Sequence, residues 1–392
     1  MSENTTEKGE IAVAIPKSTA RGHNLAQYSR RKKAILLALL LLAAAAGYLF
    51  VSHDDAWYGT TIAVVETIET THTQTQAGTS IGEEKYYVQH ITAHITNGPR
   101  KGQTVSLPNQ YSDSGVRDEA YRRGDRLFIQ PGRDGTTGKI IEQKRDTLVY
   151  LLAAALLFGM LAIAGMTGLL AALSLLVNIA LLTAALLLYQ AGWNLFALTA
   201  VLMVLFTLLS LLVANGWNRC SGLSIAVTLL SLALTAGIFL IVRAVSPPLQ
   251  YQMMEYTVVP DDLSALFFCE ILVGGLGAVM DVAISLISTA DELLIHNPNL
   301  PYPQLRDSVQ AVGDDIMGTM VNVLFFTYIC GGLPEILLML RNNLTMSFVW
   351  EYVLSFELVR FLTGSIGLVL AIPVSQLVLR IWVSRRRIEH DD

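Results

Sequence analysis

Long apolar runs alternate with short polar turns along most of this chain, and each run is of the length needed to cross a bilayer, about 20 mostly apolar residues. The runs lie near residues 34–51, 148–166, 168–189, 194–214, 222–242, 266–288, 316–340 and 360–383, which predicts about eight spanning helices. One stretch has a different pattern. Between the first two runs, residues 52–146 carry short, partly alternating segments: Ile62 to Ile68, Tyr86 to Ile95, Gln103 to Leu107, Arg126 to Ile129 and Lys139 to Ile141. Turn signals separate them, among them Asn97-Gly98-Pro99, Arg123-Gly124-Asp125 and Arg133-Asp134-Gly135. Period-two segments punctuated by Gly, Asn and Pro read as β-strands. So many short strands in so small a segment predict a closed sheet of the OB type, because closure removes the strand edges. The expected fold is an all-α polytopic membrane bundle with a small β-rich, OB-like extracytoplasmic domain inserted after its first helix.

A hydrophobic fraction of 53% against 15% charged residues excludes an ordinary soluble domain. The formal charge of -5 says little about partners, because the basic residues are sorted by position. Seven of the 27 Lys and Arg precede the first run, ending in Arg30, Arg31, Lys32 and Lys33, and Arg385, Arg386 and Arg387 follow the last. The positive-inside rule then places both termini in the cytoplasm of a multi-pass plasma-membrane protein and residues 52–146 outside. Residues 1–33 are polar and patternless and read as a disordered cytoplasmic tail, residues 34–51 as an uncleaved signal anchor, residues 147–383 as a seven-helix domain and residues 384–392 as a second tail. Cys220, Cys269 and Cys330 have neither disulfide nor metal spacing, and His90 with His94 is too thin a basis for a metal site. Arg123-Gly124-Asp125 reads as turn chemistry and the basic residues of the β domain as a solvated surface. No cofactor and no nucleic-acid partner is expected.

Asp281 carries the strongest functional signal. It sits near the middle of the apolar stretch Leu266 to Ile287, where an ionisable side chain costs roughly 2.5 to 3.5 kcal/mol even on a lenient scale. Steps of three and four residues join Glu270, Gly274, Gly277, Asp281, Ser285, Ser288 and Glu292 on one helix face, which is expected to pack inward. The next run places Asp315, Gly318, Thr319, Asn322 and Phe326 on one face, and the two stripes are expected to meet in a helical hairpin. A short interfacial helix is expected near Leu305 to Val312, ahead of that run. In the last run Glu357, Arg360, Gly364 and Gly367 share a face. Arg360 is expected to neutralise Glu357 or to reach Glu270 or Glu335, and Pro373 to bend the helix. The runs between 148 and 242 are nearly pure Leu and Ala and read as a lipid-facing bundle or packing scaffold.

Three ordered blocks carry a family resemblance: Gly274-Gly275-Leu276-Gly277-Ala278-Val279-Met280-Asp281-Val282-Ala283; Gly313-Asp314-Asp315-Ile316-Met317-Gly318-Thr319-Met320-Val321-Asn322; and Gly364-Ser365-Ile366-Gly367-Leu368-Val369-Leu370 with Pro373. With the turn Gly98-Pro99-Arg100-Lys101-Gly102, they make the chain similar to the YibE/F-like family of multi-spanning bacterial membrane proteins. Val321, Val323 and Asp314 depart from the family pattern. The resemblance implies an architecture and no established activity. No hydrolase elbow, HExxH or phosphate-binding glycine loop is present, so no enzyme and no catalytic residue is expected. The function expected from the residues is a permease or exporter for a small solute or ion. Asp281, Ser285, Ser288, Asn322, Thr319, Asp315, Glu270 and Arg360 would line its pathway, and Gly274, Gly277, Gly318, Gly364 and Gly367 would pack its helices. The alternative is a membrane scaffold or regulator whose outer domain binds an envelope partner.

Overall fold

The computed structural model describes residues 30–77, 83–113, 115, 118–246 and 263–391. Helix α1 (Arg30–Ser52) leads into strands β1 (Thr61–Ala77), β2 (Glu83–Ile95), β3 (Thr104–Ser112), β4 (Arg126–Pro131) and β5 (Gly138–Gln143). Helices α2 (Asp146–Ala164), α3 (Met166–Gln190), α4 (Leu195–Asn215), α5 (Arg219–Val245), α6 (Leu263–His296) and α7 (Tyr302–Arg341) follow. The chain ends in α8 (Met346–Val349), a π-helical turn Trp350–Leu354 and α9 (Ser355–Asp391). Seven helical stretches among the described residues are long and apolar enough to cross a membrane, namely α2 through α7 and Met346–Ser384. The eighth expected span is helical as α1, in which Ala38–Ser52 is an apolar helix among the described residues. Of the tail expected to be disordered, residues 1–29 lie outside the described residues, and 30–33 already belong to α1.

All five expected strands form. They lie in the order β3-β2-β1-β4-β5 with every neighbouring pair antiparallel, and a parallel bridge between Ser106 and Thr137 brings β3 to β5, so the sheet curls toward a barrel. Alternation decides the interior: Ala63, Val65, Ile91, Ala93, Ile95, Val105, Leu107, Leu127 and Ile129 point inward and are buried. Closure needs Gly138, where a Cβ would lie 3.0 Å from Leu107 and 3.2 Å from Val105. The Arg123-Gly124-Asp125 segment is a turn, with Gly124 at φ +92 and the Asp125 carboxylate accepting from the Arg122 amide at 2.7 Å.

A buried ion cluster fixes this barrel to the ends of α1 and α2. Lys144, just after β5, is 1% exposed at its side chain, and its Nζ lies 2.6 Å from Asp54, 2.8 Å from Asp146 and 3.6 Å from Asp55, while donating to the Val51 carbonyl at 3.1 Å. Arg126 pairs with Asp55 at 2.8 Å, and the Tyr58 hydroxyl donates to Asp146 at 2.9 Å. Burial works against the Lys144 charge, but the Asp146 and Asp54 carboxylates outweigh it and raise its pKa above the ordinary lysine value. Asn97 closes the same corner, accepting from the Ile62 amide and donating to the Asp55, Tyr58 and Thr60 carbonyls.

In the bundle, α6 and α9 form the centre, with α5 packed on both. Of the runs from 148 to 242, expected to be a lipid-facing bundle or packing scaffold, α2 has no buried residue and α5 packs into the core. A stripe of hydroxyls at helical spacing, Ser221, Ser224, Thr228, Ser231 and Thr235, is buried along α5, because small side chains let helices approach closely without any apolar area to gain from lipid. The three family-like blocks pack on one another. A Cβ on Gly275 would lie 3.4 Å from the Gly364 Cα, Gly367 faces Val279 and Thr235, and Gly313 faces Ile372. The interfacial helix expected near Leu305 to Val312 is not separate. It is the first part of α7, since Pro303 falls in the first turn, where a missing amide is harmless, and nothing after it breaks the helix. Both α7 and α9 continue through their internal prolines, Pro334 and Pro373.

Candidate functional site

The polar stripe predicted on α6 forms, but it lies on the opposite side from the one expected. The buried side of α6 is Phe267, Ile271, Gly275, Val279, Val282, Leu286 and Ala290, packed against α4, α5 and α9. Glu270, Gly274, Gly277, Asp281 and Glu292 are exposed, and Ser285 and Ser288 half-buried. The large apolar side chains fill the contacts with α4, α5 and α9 by van der Waals packing, and they take the core. The α7 stripe behaves in the same way: Asp315, Gly318, Thr319, Asn322 and Phe326 are all exposed, while Val309, Gly313 and Leu324 on the other side are buried.

Asp281 and Asn322 nevertheless share a depth. Gly274 abuts the Tyr328 hydroxyl, and from that level Asp281 lies seven residues along α6 and Asn322 six residues back along α7. At 1.5 Å per residue both are about 10 Å further down. The stripes do not meet, because the one on α7 faces away from that helix's own packing side. The polar donors of both stripes turn back on their own helices: Ser285 to the Asp281 carbonyl at 2.7 Å, Asn322 to Gly318 at 2.8 Å and Thr319 to Ile316 at 2.8 Å. The Asp281 and Asp315 carboxylates have no hydrogen bond or ion pair among the described residues. Of the expected packing glycines, Gly274, Gly364 and Gly367 are in contact with other helices, whereas Gly277 and Gly318 have open space where a Cβ would be.

The upper end of the α6 stripe is covered by a charged cluster. Arg360 on α9 donates to Glu270 at 2.8 Å and to Glu357 at 2.6 Å, which meets two of the three partners expected for it; Glu335 is exposed and makes no ion pair with it. The guanidinium also sits 5.2 Å from the centre of the Phe267 ring, which in turn meets Phe356 edge-on. The side chains of Arg360 and Glu357 are 12% and 11% exposed, while that of Glu270 is 46% exposed. One cation is thus shared by two carboxylates, and the buried Nε of Arg360 and hydroxyl of Tyr328 have no hydrogen-bond partner among the described residues. Gly332 makes the room for Glu357: a Cβ there would come within 3.1 Å of the Glu357 Cγ. Sequence reasoning missed Tyr328 and Gly332. Their signal was present as a single phenol and a glycine four residues apart in an apolar run, opposite residues that could be identified only in three dimensions.

No group of three or more metal-ligating side chains exists among the described residues, and the three cysteines are unpaired. His94 pairs with Glu66 at 3.1 Å on the outside of the barrel, and His90, four residues along the same strand, does not join it. In comparison with known families, residues 152–385 match the YibE/F-like protein family and residues 56–143 match the YibE/F family N-terminal domain. No curated protein and no solved structure matches the chain.

Proposed function

The chain belongs to the YibE/F-like family, and on that premise we propose that it is a multi-pass membrane permease or exporter with a proton or cation site at Asp281. The observation that carries this reading is the unpaired Asp281 carboxylate, exposed about halfway along a 34-residue helix whose most apolar 18 residues have mean hydropathy 2.0. A carboxylate at that depth is held neutral by a proton, or paired with a cation, or it sits in water. The flanking basic clusters put both termini in the cytoplasm and the barrel, which we read as OB-type from its strand order, outside the plasma membrane. With successive spans alternating in direction, the Glu270–Arg360–Glu357 cluster lies toward the outer face, Asp281 and Asn322 in the middle, and Ser288, Glu292 and Asp315 toward the cytoplasm.

In this reading Arg360 ties α6 to α9 and closes the outer end of the stripe. Asp281 takes up the coupling ion, and the hydroxyls of Ser285, Ser288 and Thr319 with the Asn322 amide line the rest of the route. The close glycine crossing at Gly275 and Gly364 lets α6 shift against α9. We assign the site no covalent chemistry. A regulator that senses an envelope partner through the barrel is the second reading, favoured by the buried Lys144 cluster that ties barrel and helices rigidly together. The test is flux of protons, Na⁺ and K⁺ into dye-loaded vesicles under an imposed membrane potential. The chain should conduct one of them, and Asp281→Asn should abolish that flux while its expression and melting are unchanged. Vesicles no leakier than protein-free ones, or an Asp281→Asn variant with full flux, would sink the permease reading.

A further inference from the structure

We infer that the exposed face of α6 and α7 is the interface between two copies of this chain, with the α7 stripe of each protomer set against the α6 stripe of the other. The inference rests on the membrane placement proposed above. Asp281 and Ser285 stand on the outward side of α6, whose most apolar 18 residues have mean hydropathy 2.0, and Thr319 and Asn322 on that of α7 beside its own apolar stretch of mean hydropathy 1.9, and lipid cannot satisfy the Asp281 carboxylate. Among the described residues nothing covers them. Among the described residues helix α7 packs chiefly on α6, α9, α8 and the π-helical turn before α9, and its stripe points away from these; α2 and α3 are engaged with α1 and α4.

The face is complementary to itself, which is why the occupant assigned is a second copy. It offers a carboxylate acceptor at Asp281 and, at Asn322, the amide N–H left over beside the one given to Gly318, and these two residues lie at one depth on neighbouring antiparallel helices. A two-fold axis parallel to the bundle preserves depth, so it brings each Asn322 level with the other copy's Asp281. Gly277 and Gly318 present bare backbone on the same face, with open space where a side chain would stand, so a second pair of helices can approach closely. The ion site of the proposed permease would then lie between protomers, each carboxylate meeting an amide from the other chain.

Two measurements test this. Mass analysis of the unmodified full-length chain in lipid nanodiscs should give twice the chain mass, and a single-chain mass would overturn the inference whatever the variants do. Differently tagged chains, each lacking Cys220, Cys269 and Cys330, are then co-expressed, one with Ser285→Cys and the other with Thr319→Cys, and oxidised in membranes. Cross-linking between tags should exceed by at least tenfold that of a pair carrying Leu176→Cys, on the exposed side of α3. A dimer whose stripe pair cross-links no better than the Leu176→Cys control would place the interface elsewhere and overturn it too. The two readings fail separately: a monomer whose flux depends on Asp281 keeps the permease and removes the dimer, and a cross-linked dimer with no such flux does the reverse.

Discussion

Replacing Lys144 by Met is the sharpest perturbation of the barrel's attachment. The thioether keeps most of the length and apolar stem while removing the charge that Asp54, Asp55 and Asp146 share. Arg126 remains on Asp55 and Tyr58 on Asp146, so the loss falls mainly on Asp54, left buried beside other acids without a cation. Breaking a buried pair by removing one partner costs about 3–5 kcal/mol. At 1.4 kcal/mol per factor of ten, even the lower figure makes local opening about 100-fold more frequent. Hydrogen exchange on the purified full-length chain reads this directly: amides of β4, β5 and the start of α2 should exchange at least 100-fold faster, while those of α6 and α9 are unchanged. Adding Asp54→Asn should restore much of the protection, because the variant then buries one charge fewer. The pH dependence has a defined sign. A lysine pKa raised on folding contributes its full stability below the unfolded value of 10.5 and loses it only as pH rises through the higher folded value, so this protection should be flat from pH 6 to 9 and fall above about 10.5. A change under threefold in β4 and β5 exchange for Lys144→Met would refute the reasoning and reduce the cluster to a solvated surface network.

Three further outcomes follow from the same structure. In a background lacking Cys220, Cys269 and Cys330, a cysteine at Arg133→Cys should react with an impermeant maleimide in intact cells and one at Ser308→Cys only after permeabilisation; labelling of Ser308→Cys in intact cells would invert the orientation. The isolated segment 53–148, which retains Asp54, Lys144 and Asp146, should give a β-type circular dichroism spectrum and a cooperative melt, since a closed sheet satisfies its own backbone groups, and a random-coil spectrum would show that it folds only against the helices. Gly367→Ala should destabilise the bundle by about 1–3 kcal/mol, because its Cβ would lie 2.9 Å from the Thr235 hydroxyl and 3.1 Å from Val279, whereas Gly277→Ala should leave a single chain's stability unchanged or slightly raised and instead weaken the cross-linking between copies.

Much of the architecture was legible because two periodicities dominate this chain. Alternation over Ile91 to Ile95 and Val105 to Leu107 fixed which side of each strand is buried, and apolar length fixed the helices from α2 onward. The length of α7 was not legible. A Pro-rich approach followed by an amphipathic stretch resembles a separate interfacial helix, and only the packing of Gly313 on Ile372 reveals a single continuous rod. Burial direction on α6 was misread for a more general reason. In a soluble helix a polar stripe faces out and in a helix packed within a membrane bundle it usually faces in, so the outcome depends on how many neighbours the helix has. Phe267, Ile271, Val279 and Leu286 compete for the inside of α6 with Asp281 and Ser285, and sequence alone does not count the neighbours.

The Arg360 cluster exposes the same limit from the other side. The i, i+3 spacing of Glu357 and Arg360 was readable along one helix, and Glu270 could be named as a partner because it occupies the corresponding end of an antiparallel neighbour. What the spacing did not contain is that Arg360 reaches both at once. That leaves two carboxylates on one guanidinium, with the buried Tyr328 hydroxyl alongside. A cluster one positive charge short at the outer end and an unpaired carboxylate further along the same stripe place two negative sites in series on one face of α6. In the permease proposed above, a cation entering from the barrel side would meet Glu270 first and Asp281 about 16 Å later, at 1.5 Å per residue. Conduction needs sites that attract an ion without trapping it, and in that proposal Arg360 would supply the second half of the condition at the first site by holding its net charge to a single negative unit.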